Sequence, residues 1–265
     1  MHLNERLKVP QLREGWRQLT MNSGIYTAYS GLKAQSDALE VLSNNLANIN
    51  TTAFKEENAF YTYLKDSEGT AQQPADLNSA INQSIRIDTA VNSEIGSMNA
   101  TSRDLDIAIE GKGFLVVNTP RGVRYTRNGS LNLNAQSVLV ASDGSPVMGV
   151  SGKPITLGPG KISIGENGEV FLDKNQIDQL KVVSFDDLSA LKKEGNSLFI
   201  SRGDRSLEKN SDAKIKSGYL EQSNVNPVSS IVRMVEIMRN FEAIQKSINL
   251  IMNDINTKAI EKLGQ

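Results

Sequence analysis

Few side chains in this sequence have the type and position that catalysis needs. The chain of 265 residues contains no Cys, and its single His, His2, stands at the end of the chain. A thiolate nucleophile, a Cys-based metal site, a Ser-His-Asp triad and a His-ligated zinc or iron site are therefore not expected, and no cofactor is predicted. The 29 Lys and Arg almost balance the 30 Asp and Glu, which argues against a broad basic face for nucleic acid.

One pair of carboxylates has a spacing that could serve acid–base chemistry. Asp104 and Asp106 are two residues apart and share one face of a predicted strand. Paired carboxylates can hydrolyse a glycoside when a cleft and aromatic sugar platforms accompany them. Trp16 is the only Trp and no second cluster is present, so we interpret the pair as a solvated strand edge. An enzyme acting on cell-wall glycan stays as an alternative function.

Two further patterns resemble binding motifs only weakly. Residues 111–113 (Gly-Lys-Gly) lack the third Gly and the βα context of a dinucleotide-binding loop. Arg121, Arg124 and Arg127 follow one another along a predicted strand ribbon. We interpret these arginines as a solvated face, and a contact with an acidic neighbour or with peptidoglycan stays open.

The elements that would position such residues begin with a helix near the N-terminus. Its apolar residues recur mainly every seven positions, which is typical of a heptad seam. The pattern ends at residues 48–52, a cluster of poor helix formers. The seam residues of this predicted helix are Ile25, Tyr29, Leu32, Leu39 and Leu46.

A second helix is predicted at the C-terminus. Asn226 is a good N-cap and Pro227 suits the first helical position. A heptad stripe of this kind packs inside one chain or against neighbouring copies, and both arrangements remain open from the residues alone. The predicted seam consists of Ile231, Met234, Met238, Phe241, Ile248, Met252 and Ile255.

Short strands and turns fill the region between the helices. Residues 127–129 (Arg-Asn-Gly) predict a hairpin between residues 123–126 and 130–134. Asp143-Gly144 and Asn167-Gly168 predict two further turns. The frequent turn signals favour a sandwich or barrel-like β-domain. Further strands are predicted at 147–150, 161–164, 169–172, 179–185 and 197–201.

The predicted fold is therefore α+β, with heptad helices at both ends and an all-β domain between them. Pro10 and Gly15 are expected to interrupt any helix through the first twenty residues, which we predict to be dispensable. No run of 18 apolar residues and no apolar signal segment occurs. The predicted organisation is an extension (1–20), a helix (21–54), a polar connector (55–84), a β-rich domain (85–217) and a C-terminal helix (218–265).

The end of the first helix carries a stretch that resembles a known family. Residues 43–55 (SNNLANINTTAFK) are similar to the N-terminal signature of bacterial flagellar rod and hook proteins. Residues 24–32, 105–114, 125–129 and 218–226 resemble further blocks of that family, in the same order. The signature residues are Asn44, Asn45, Leu46, Ala47, Asn48, Thr51, Phe54 and Lys55.

Within the family, the chain is most similar to the proximal-rod component and next most similar to the distal-rod component. Residues 119–127, 189–196 and 239–242 carry the proximal-rod likeness. The sequence also departs from the family pattern at two places, where the local geometry is in question. Ala53 stands where the family usually has Gly, and Ser102 and Asp104 stand where it usually has Gly and Pro.

The resemblance implies a structural subunit, without catalytic activity, of the flagellar basal-body rod, the drive shaft that crosses the periplasm. It implies helical polymerisation through terminal helices packed as a coiled coil, with other rod subunits as partners. It also implies export by the flagellar type III apparatus without a cleaved signal peptide, and no stable insertion into a membrane. A distal-rod or hook role is the alternative within the family.

Overall fold

The computed structural model of the chain describes residues 10–64, 84–186, 191–195, 197–201 and 208–263. Two long helices flank a region of short strands, so the predicted α+β class is confirmed. Neither helix of these described ranges has the length and apolar composition that crossing a membrane requires. The helices are α1 (Pro10–Ala47) and α2 (Pro227–Leu263).

Helix α1 begins earlier than the sequence pattern predicts. It starts at Pro10 and continues through Gly15, so the expected interruption within residues 1–20 is wrong. Pro suits the first turn of a helix, because the N–H that it lacks would have no helical acceptor there. One interior Gly costs only about 1 kcal/mol relative to Ala. The predicted exit is confirmed, since α1 ends at Ala47 and turn residues follow.

Helix α2 begins where its capping residues predict. The side-chain oxygen of Asn226 accepts hydrogen bonds from the N–H groups of Val228 at 3.0 Å and Ser229 at 3.2 Å. These donors belong to the first turn, where no backbone acceptor is available. Asn226 is therefore the N-cap, with Pro227 at the first helical position.

The strands of the described region are short, and their described pairings are antiparallel. In chain order they are β1 (Glu57–Leu64), β2 (Ser84–Val91), β3 (Met98–Ala100), β4 (Ile107–Glu110), β5 (Phe114–Thr119), β6 (Gly122–Thr126), β7 (Asn132–Leu133), β8 (Leu139–Val140), β9 (Ile162–Ile164), β10 (Glu169–Leu172), β11 (Asn175–Gln179), β12 (Val182–Ser184), β13 (Leu191–Gly195), β14 (Leu198–Ser201), β15 (Lys209–Asn210), β16 (Lys214–Ser217) and β17 (Tyr219–Glu221).

The chain forms two compact units. The first, the helical unit, contains the described parts of residues 1–43, 59–89 and 231–265. The second, the β-unit, contains the described parts of residues 44–58 and 90–230. The ends of both helices, at residues 44–47 and 227–230, thus belong to the β-unit.

The β-unit is built on a six-stranded sheet in the order β13-β14-β6-β5-β12-β15, with a separate three-stranded sheet in the order β11-β10-β9. One apolar core, centred on residues such as Ile107, Leu139 and Val170, is aliphatic. A second core is aromatic, with the Phe114 ring packed edge-on 5.4 Å from Phe199. Residues on alternate faces of β5 supply both cores, which ties the unit together.

The predicted hairpin at residues 127–129 is wrong. Strand β6 pairs with β5 and β14, whereas residues 132–133 pair with β8. Gly129 serves a close backbone crossing, because a Cβ there would lie 1.9 Å from the Ile107 carbonyl oxygen. The Ile107 N–H donates to the Gly129 carbonyl at 3.0 Å across this crossing. The Asn-Gly pair therefore marks a contact between distant segments.

The other two predicted turns are confirmed. Gly144 has φ +84° and Gly168 has φ +87°, and each N–H donates to the carbonyl three residues earlier. Four of the five further predicted strands overlap β9, β10, β12 and β14. Residues 147–149 form isolated bridges in place of a strand, and Val150 lies in the turn that follows. The predicted connector, 55–84, contains β1, and its stretch 65–83 lies outside the described residues.

Six residues other than Gly have positive φ in the described chain, and two of them stand where the sequence departs from the family pattern. Ala53 has φ +55° and is fully buried, and Ser102 has φ +61° and is exposed. Such a conformation costs a side-chain-bearing residue about 1–2 kcal/mol. Hydrogen bonds hold both positions, since Ala53 N–H donates to the Glu221 carbonyl at 2.8 Å and Ser102 N–H to the Gly218 carbonyl at 3.2 Å. The backbone thus keeps a shape that suits Gly at both places.

We expect Ser102→Gly to raise the free energy of unfolding by about 0.5–1 kcal/mol, because relief of the left-handed strain exceeds the entropy that Gly adds to the unfolded chain. Urea unfolding of the purified protein measures this change. The control is Ser93→Gly, at an exposed position outside the positive-φ set, which should lower the free energy of unfolding. Equal effects of the two substitutions would contradict strain at position 102.

Candidate functional site

Glu221, at the end of β17, has a buried carboxylate that binds two cations. Its Oε1 accepts hydrogen bonds from Lys55 Nζ at 2.7 Å and from the Gly96 N–H at 3.0 Å. Its Oε2 accepts a hydrogen bond from Arg127 Nε at 2.8 Å. The side chains of Lys55, Arg127 and Glu221 are 3%, 4% and 1% exposed. We call these three residues the buried ion cluster.

Arg127 extends the cluster to the turn between β4 and β5. Its Nη1 donates to the carbonyls of Gly111 at 3.0 Å and Gly113 at 2.9 Å, and its Nη2 donates to the Ile109 carbonyl at 2.8 Å. The guanidinium carbon lies 5.9 Å from the centroid of the Phe114 ring. The planar fork of donors on Arg suits this task, because it satisfies several fixed carbonyls at once.

Lys55 connects the chain that leaves α1 to two other segments. Besides Glu221, its Nζ donates to the carbonyl of Glu94, between β2 and β3. The N–H of Ala53, two residues earlier, donates to the Glu221 backbone carbonyl. The stretch after α1 is therefore fixed to β17 through both a side chain and the backbone.

The electrostatics of the cluster depend on the carboxylate. Burial lowers the pKa of Lys55, and Glu221 offsets this only in part. Burial by itself would raise the pKa of Glu221, but Arg127 and Lys55 together outweigh it and hold that pKa below its ordinary value. The stability that Glu221 contributes is thus present at neutral pH and is lost as the pH falls through its lowered pKa.

The Asn residues of the signature organise the end of α1 through side-chain hydrogen bonds. Asn45 is fully buried, donates to the Glu57 carbonyl at 2.8 Å and accepts from the Glu57 N–H at 3.0 Å. Asn48 Nδ2 donates to the Asn44 carbonyl at 2.8 Å, and its Oδ1 accepts from the Thr51 hydroxyl at 3.1 Å. These bonds satisfy groups that the helix end leaves unpaired.

Asn224, just before α2, binds the same stretch from the other side. Its Oδ1 accepts from the Glu56 N–H at 2.7 Å, and its Nδ2 donates to the Glu94 carbonyl at 2.9 Å. Its own N–H donates to the Phe54 carbonyl at 3.3 Å. The segment that leaves α1 and the segment that leads into α2 are therefore hydrogen-bonded neighbours within the β-unit.

The remaining signature residues lie at different depths. Leu46 is half-buried, Ala47 is exposed and Phe54 is buried. The ring of Phe54 contacts the ammonium group of Lys193, whose Nζ lies 3.6 Å from the ring centroid.

Lys193 is a cation with poor compensation. Its Nζ is 3.9 Å from Glu57 Oε2 and makes no hydrogen bond to any described residue. Burial lowers the pKa of Lys193 to about 8, and the charge of Glu57 opposes this shift only weakly. Its surroundings therefore disfavour the charged form of Lys193 relative to water.

Two interpretations of surface charge need correction. Asp104 is exposed, but Asp106 is 2% exposed, so the solvated strand edge is wrong for Asp106. The solvated arginine face is wrong for Arg124 and Arg127, which are buried. Their acidic partners, Glu194 and Glu221, lie far along the chain and are invisible to a local pattern. Arg121 is 67% exposed and pairs with Glu194 at 3.0 Å.

Helix α1 buries a stripe that differs from its predicted seam. The seam residues Leu32, Leu39 and Leu46 are half-buried, Tyr29 is 64% exposed, and the side chain of Ile25 lies outside the described residues. At about 100° per residue, the seam and the buried stripe occupy nearly opposite sides of the helix. The buried stripe consists of Ser30, Ala34, Ala38, Leu42 and Asn45.

Helix α2 likewise has two apolar sides. One is half-buried and contains Met234, Ile237, Phe241, Ile244 and Ile248. The other, which we call the exposed α2 face, contains Val228, Ile231, Val232, Val235 and Met238, which are 43–70% exposed. Met252 is 43% exposed, and the side chain of Ile255 lies outside the described residues. The predicted seam is thus divided between a half-covered side and an uncovered one.

Three stretches of the chain match families of known proteins. Residues 25–55 match the family described as "Flagella basal body rod protein". Residues 108–172 match the "Flagellar hook protein FlgE/F/G D1 domain", and residues 216–251 match the "Flagellar basal body rod FlgEFG protein C-terminal". Lys55, Arg127 and Glu221 each lie in a different one of these stretches, so the buried ion cluster unites all three.

Known relatives are similar over nearly the whole chain. The flagellar basal-body rod protein FlgF of Caulobacter vibrioides is 32% identical over 247 residues, covering 92% of this chain and 99% of the relative. FlgF of Mesorhizobium japonicum is 28% identical, and the match covers 84% of this chain and 90% of the relative. FlgG of Bacillus subtilis is 29% identical, and the match covers 86% of this chain and 94% of the relative.

We expect Glu221→Gln to lower the free energy of unfolding by about 3–5 kcal/mol, because it leaves two buried cations without a counter-charge. Lys55→Met should cost clearly less, since it removes the excess positive charge and keeps the pair of Arg127 and Glu221. Denaturant unfolding at pH 7 measures both. Glu166→Gln, at an 81% exposed side chain, is the control and should change the value by no more than about 0.5 kcal/mol. Equal costs for the two cluster substitutions would show that charge balance does not govern the site.

Lys193→Met should raise the free energy of unfolding at pH 7, by about 1–3 kcal/mol, because it removes a poorly paired buried charge. Below pH 8 the lysine is protonated in both the folded and the unfolded chain, and its burial cost is present in full. Between about 8 and 10.5 only the folded protein releases the proton, so the wild type recovers stability as the pH rises. The gain from Lys193→Met should therefore shrink between pH 7 and pH 10.

Unfolding curves of the wild type and Lys193→Met at both pH values measure this difference. Lys192→Met, at the exposed neighbouring position on β13, is the matched control and should show no such trend. A gain from Lys193→Met that is the same at pH 7 and pH 10 would rule out titration of Lys193 as its source.

Proposed function

We propose that this chain, which belongs to the flagellar basal-body rod protein family and is a structural subunit of the bacterial flagellar rod, polymerises helically through its two terminal helices. The polymer is the drive shaft that transmits torque across the periplasm. The observation that supports this mechanism is the exposed α2 face, together with Tyr29 on α1. Both are apolar surfaces that the described chain leaves 43–70% exposed.

The exposed α2 face is larger than a scattering of single apolar residues. Its five side chains follow one another at helical spacing over the first three turns of α2. Burying the exposed half of each contributes roughly 1 kcal/mol. A contiguous apolar surface of this kind on a structural protein is typical of a contact with another subunit.

The contacts of such a polymer join different surfaces on successive subunits, since only these contacts build an open helical assembly. Two apolar sides on each helix suit this arrangement. One side is buried or half-buried in the described chain, and the other remains for a neighbour. We propose that the terminal helices pack as a coiled coil in the assembled rod, with the predicted seam residues in its interfaces.

Membership of the family also assigns the protein to the flagellar basal body. We propose that its partners are further copies and homologous rod subunits, and that the flagellar type III apparatus exports it without cleaving a signal peptide. The relatives are structural rod proteins, and we propose no catalytic role. A glycosidase role lacks support, because Asp106 is buried beside Arg103 and does not share an open cleft with Asp104.

We expect Met238→Asp to abolish incorporation into the rod while leaving the isolated subunit folded. Met238 is 48% exposed, so the charge costs the free chain little, but burial in a subunit contact without a partner costs several kcal/mol. Motility of a complemented null strain and the protein content of isolated basal bodies measure the effect. Asn240→Asp adds the same charge on the same helix, away from both apolar sides, and should assemble normally. Normal assembly of Met238→Asp would remove this face from the interface.

Residues 1–20 should be dispensable for function, because the family match begins at residue 25. A chain that starts at Met21 should restore motility to a null strain at the level of the full chain. The same chain with a further deletion into residues 25–55 is the control and should not. Loss of motility on removing residues 1–20 alone would assign the first turns of α1 a role in assembly.

A further inference from the structure

The β-unit has a surface groove that the function proposed so far does not use. It consists of two adjoining clefts of about 500 Å³ and about 400 Å³, which share Gly111, Lys112, Phe185 and Asp186. The deeper cleft has an apolar wall that includes Val91, Ile95, Phe114 and Phe185, with the buried ion cluster's Lys55 and Arg127 at its base. Ile95 is 47% exposed within it. The groove can therefore take an apolar side chain at its deep end.

The rim of the groove is acidic. Among the described lining residues, four exposed carboxylates, those of Glu94, Glu110, Asp186 and Asp212, stand against one exposed amine, that of Lys112. The ion pair between Asp186 and Lys209 neutralises one of them. The buried ion cluster at the base has two cations for one carboxylate, whereas the four rim carboxylates face only Lys112 and Lys209, so the excess charge at the mouth is negative. The rim favours a partner that carries a positive charge beside its apolar side chain.

A turn on the same unit has this chemistry. Val150 is 61% exposed. Among the large apolar side chains of the described β-unit, only Val228, at the start of α2, is more exposed. Lys153, three residues later, is exposed and has no ion pair within the described chain. The turn is well braced, since Gly149 N–H donates to the Lys153 carbonyl at 2.9 Å and Val150 N–H to the Gln179 carbonyl at 2.8 Å. The turn therefore presents an exposed apolar side chain and a cation on a loop held by backbone hydrogen bonds.

We propose that the Val150–Lys153 turn of one copy docks into the groove of a second copy, with Val150 against Ile95 and Phe185 and Lys153 at the acidic rim. The turn and the groove share no residue, so each copy offers one of each. Such a contact is heterologous, and heterologous contacts that do not close into a ring build the open helical assembly that a rod requires. The proposal rests on the proposed function, and it adds a contact between β-units to the contacts between helices.

Cysteine cross-linking tests the contact directly, because the chain has no Cys of its own. The double variant Val150→Cys/Ile95→Cys is expressed in a null strain, the basal bodies are isolated and oxidised, and the protein is separated without reductant. Disulfide formation needs Cα atoms within about 7 Å, so only close approach gives bands of two or more copies. Each single variant should give none.

The matched control is Ile177→Cys/Ile95→Cys, which moves the first cysteine to another exposed apolar residue of the β-unit, 47% exposed. This pair should not cross-link. Bands of equal strength from the control, a cross-link from position 150 to a different protein, or a motile double variant without multimeric bands would each overturn the proposal. If cysteine at 150 prevents incorporation, Ser151→Cys/Ser93→Cys, on the same turn and groove, gives the same readout.

The outcomes separate this contact from the proposed function. Wild-type protein missing from purified basal bodies would overturn the rod assignment itself. Wild-type protein present there, with no cross-link from either pair on the turn and the groove, would overturn only the contact between β-units.

Discussion

Burying a carboxylate with two cations constrains where three distant segments of this chain can lie. Lys55 and Arg127 are uncompensated in the interior unless Glu221 stands between them, and Glu221 in turn needs the donors that surround it. The stretch after α1, the end of β6 and the stretch before α2 must therefore come together as one arrangement. Since each charge lies in a different family-matching stretch, the cluster gives a physical reason why the three stretches occur in one chain.

The parts of the fold that depend on local sequence could be predicted. Both helices follow from long apolar periodicity, the start of α2 follows from Asn226 and Pro227, and two turns follow from Gly residues with positive φ. The failures involve residues whose role is set by distant neighbours. Gly129 permits a crossing with Ile107, and nothing in its own surroundings distinguishes that role from a hairpin turn.

The candidate site could be predicted only in outline. The family likeness singled out the segments that contain Lys55, Arg127 and Glu221, but it gave Glu221 no role. Arg127 and Glu221 are 94 positions apart, so no spacing rule can pair them. The heptad count has a similar limit, because it weighs large apolar residues and overlooks Ala34 and Ala38, which the folded chain buries completely. Periodicity locates the apolar positions of a helix, but it does not indicate which side of that helix is buried within the folded chain.

The hydrogen bonds between the Phe54 and Asn224 backbones and between the Ala53 and Glu221 backbones place the segment that follows α1 beside the segment that precedes α2. A segment whose ends are adjacent can be replaced by another of different size without moving the chain on either side. The segment between Phe54 and Asn224 is in this respect an insertion between the two helices. Related subunits could exchange or enlarge parts of this segment and keep the same helices, which allows one assembly to contain subunits that differ between their helices.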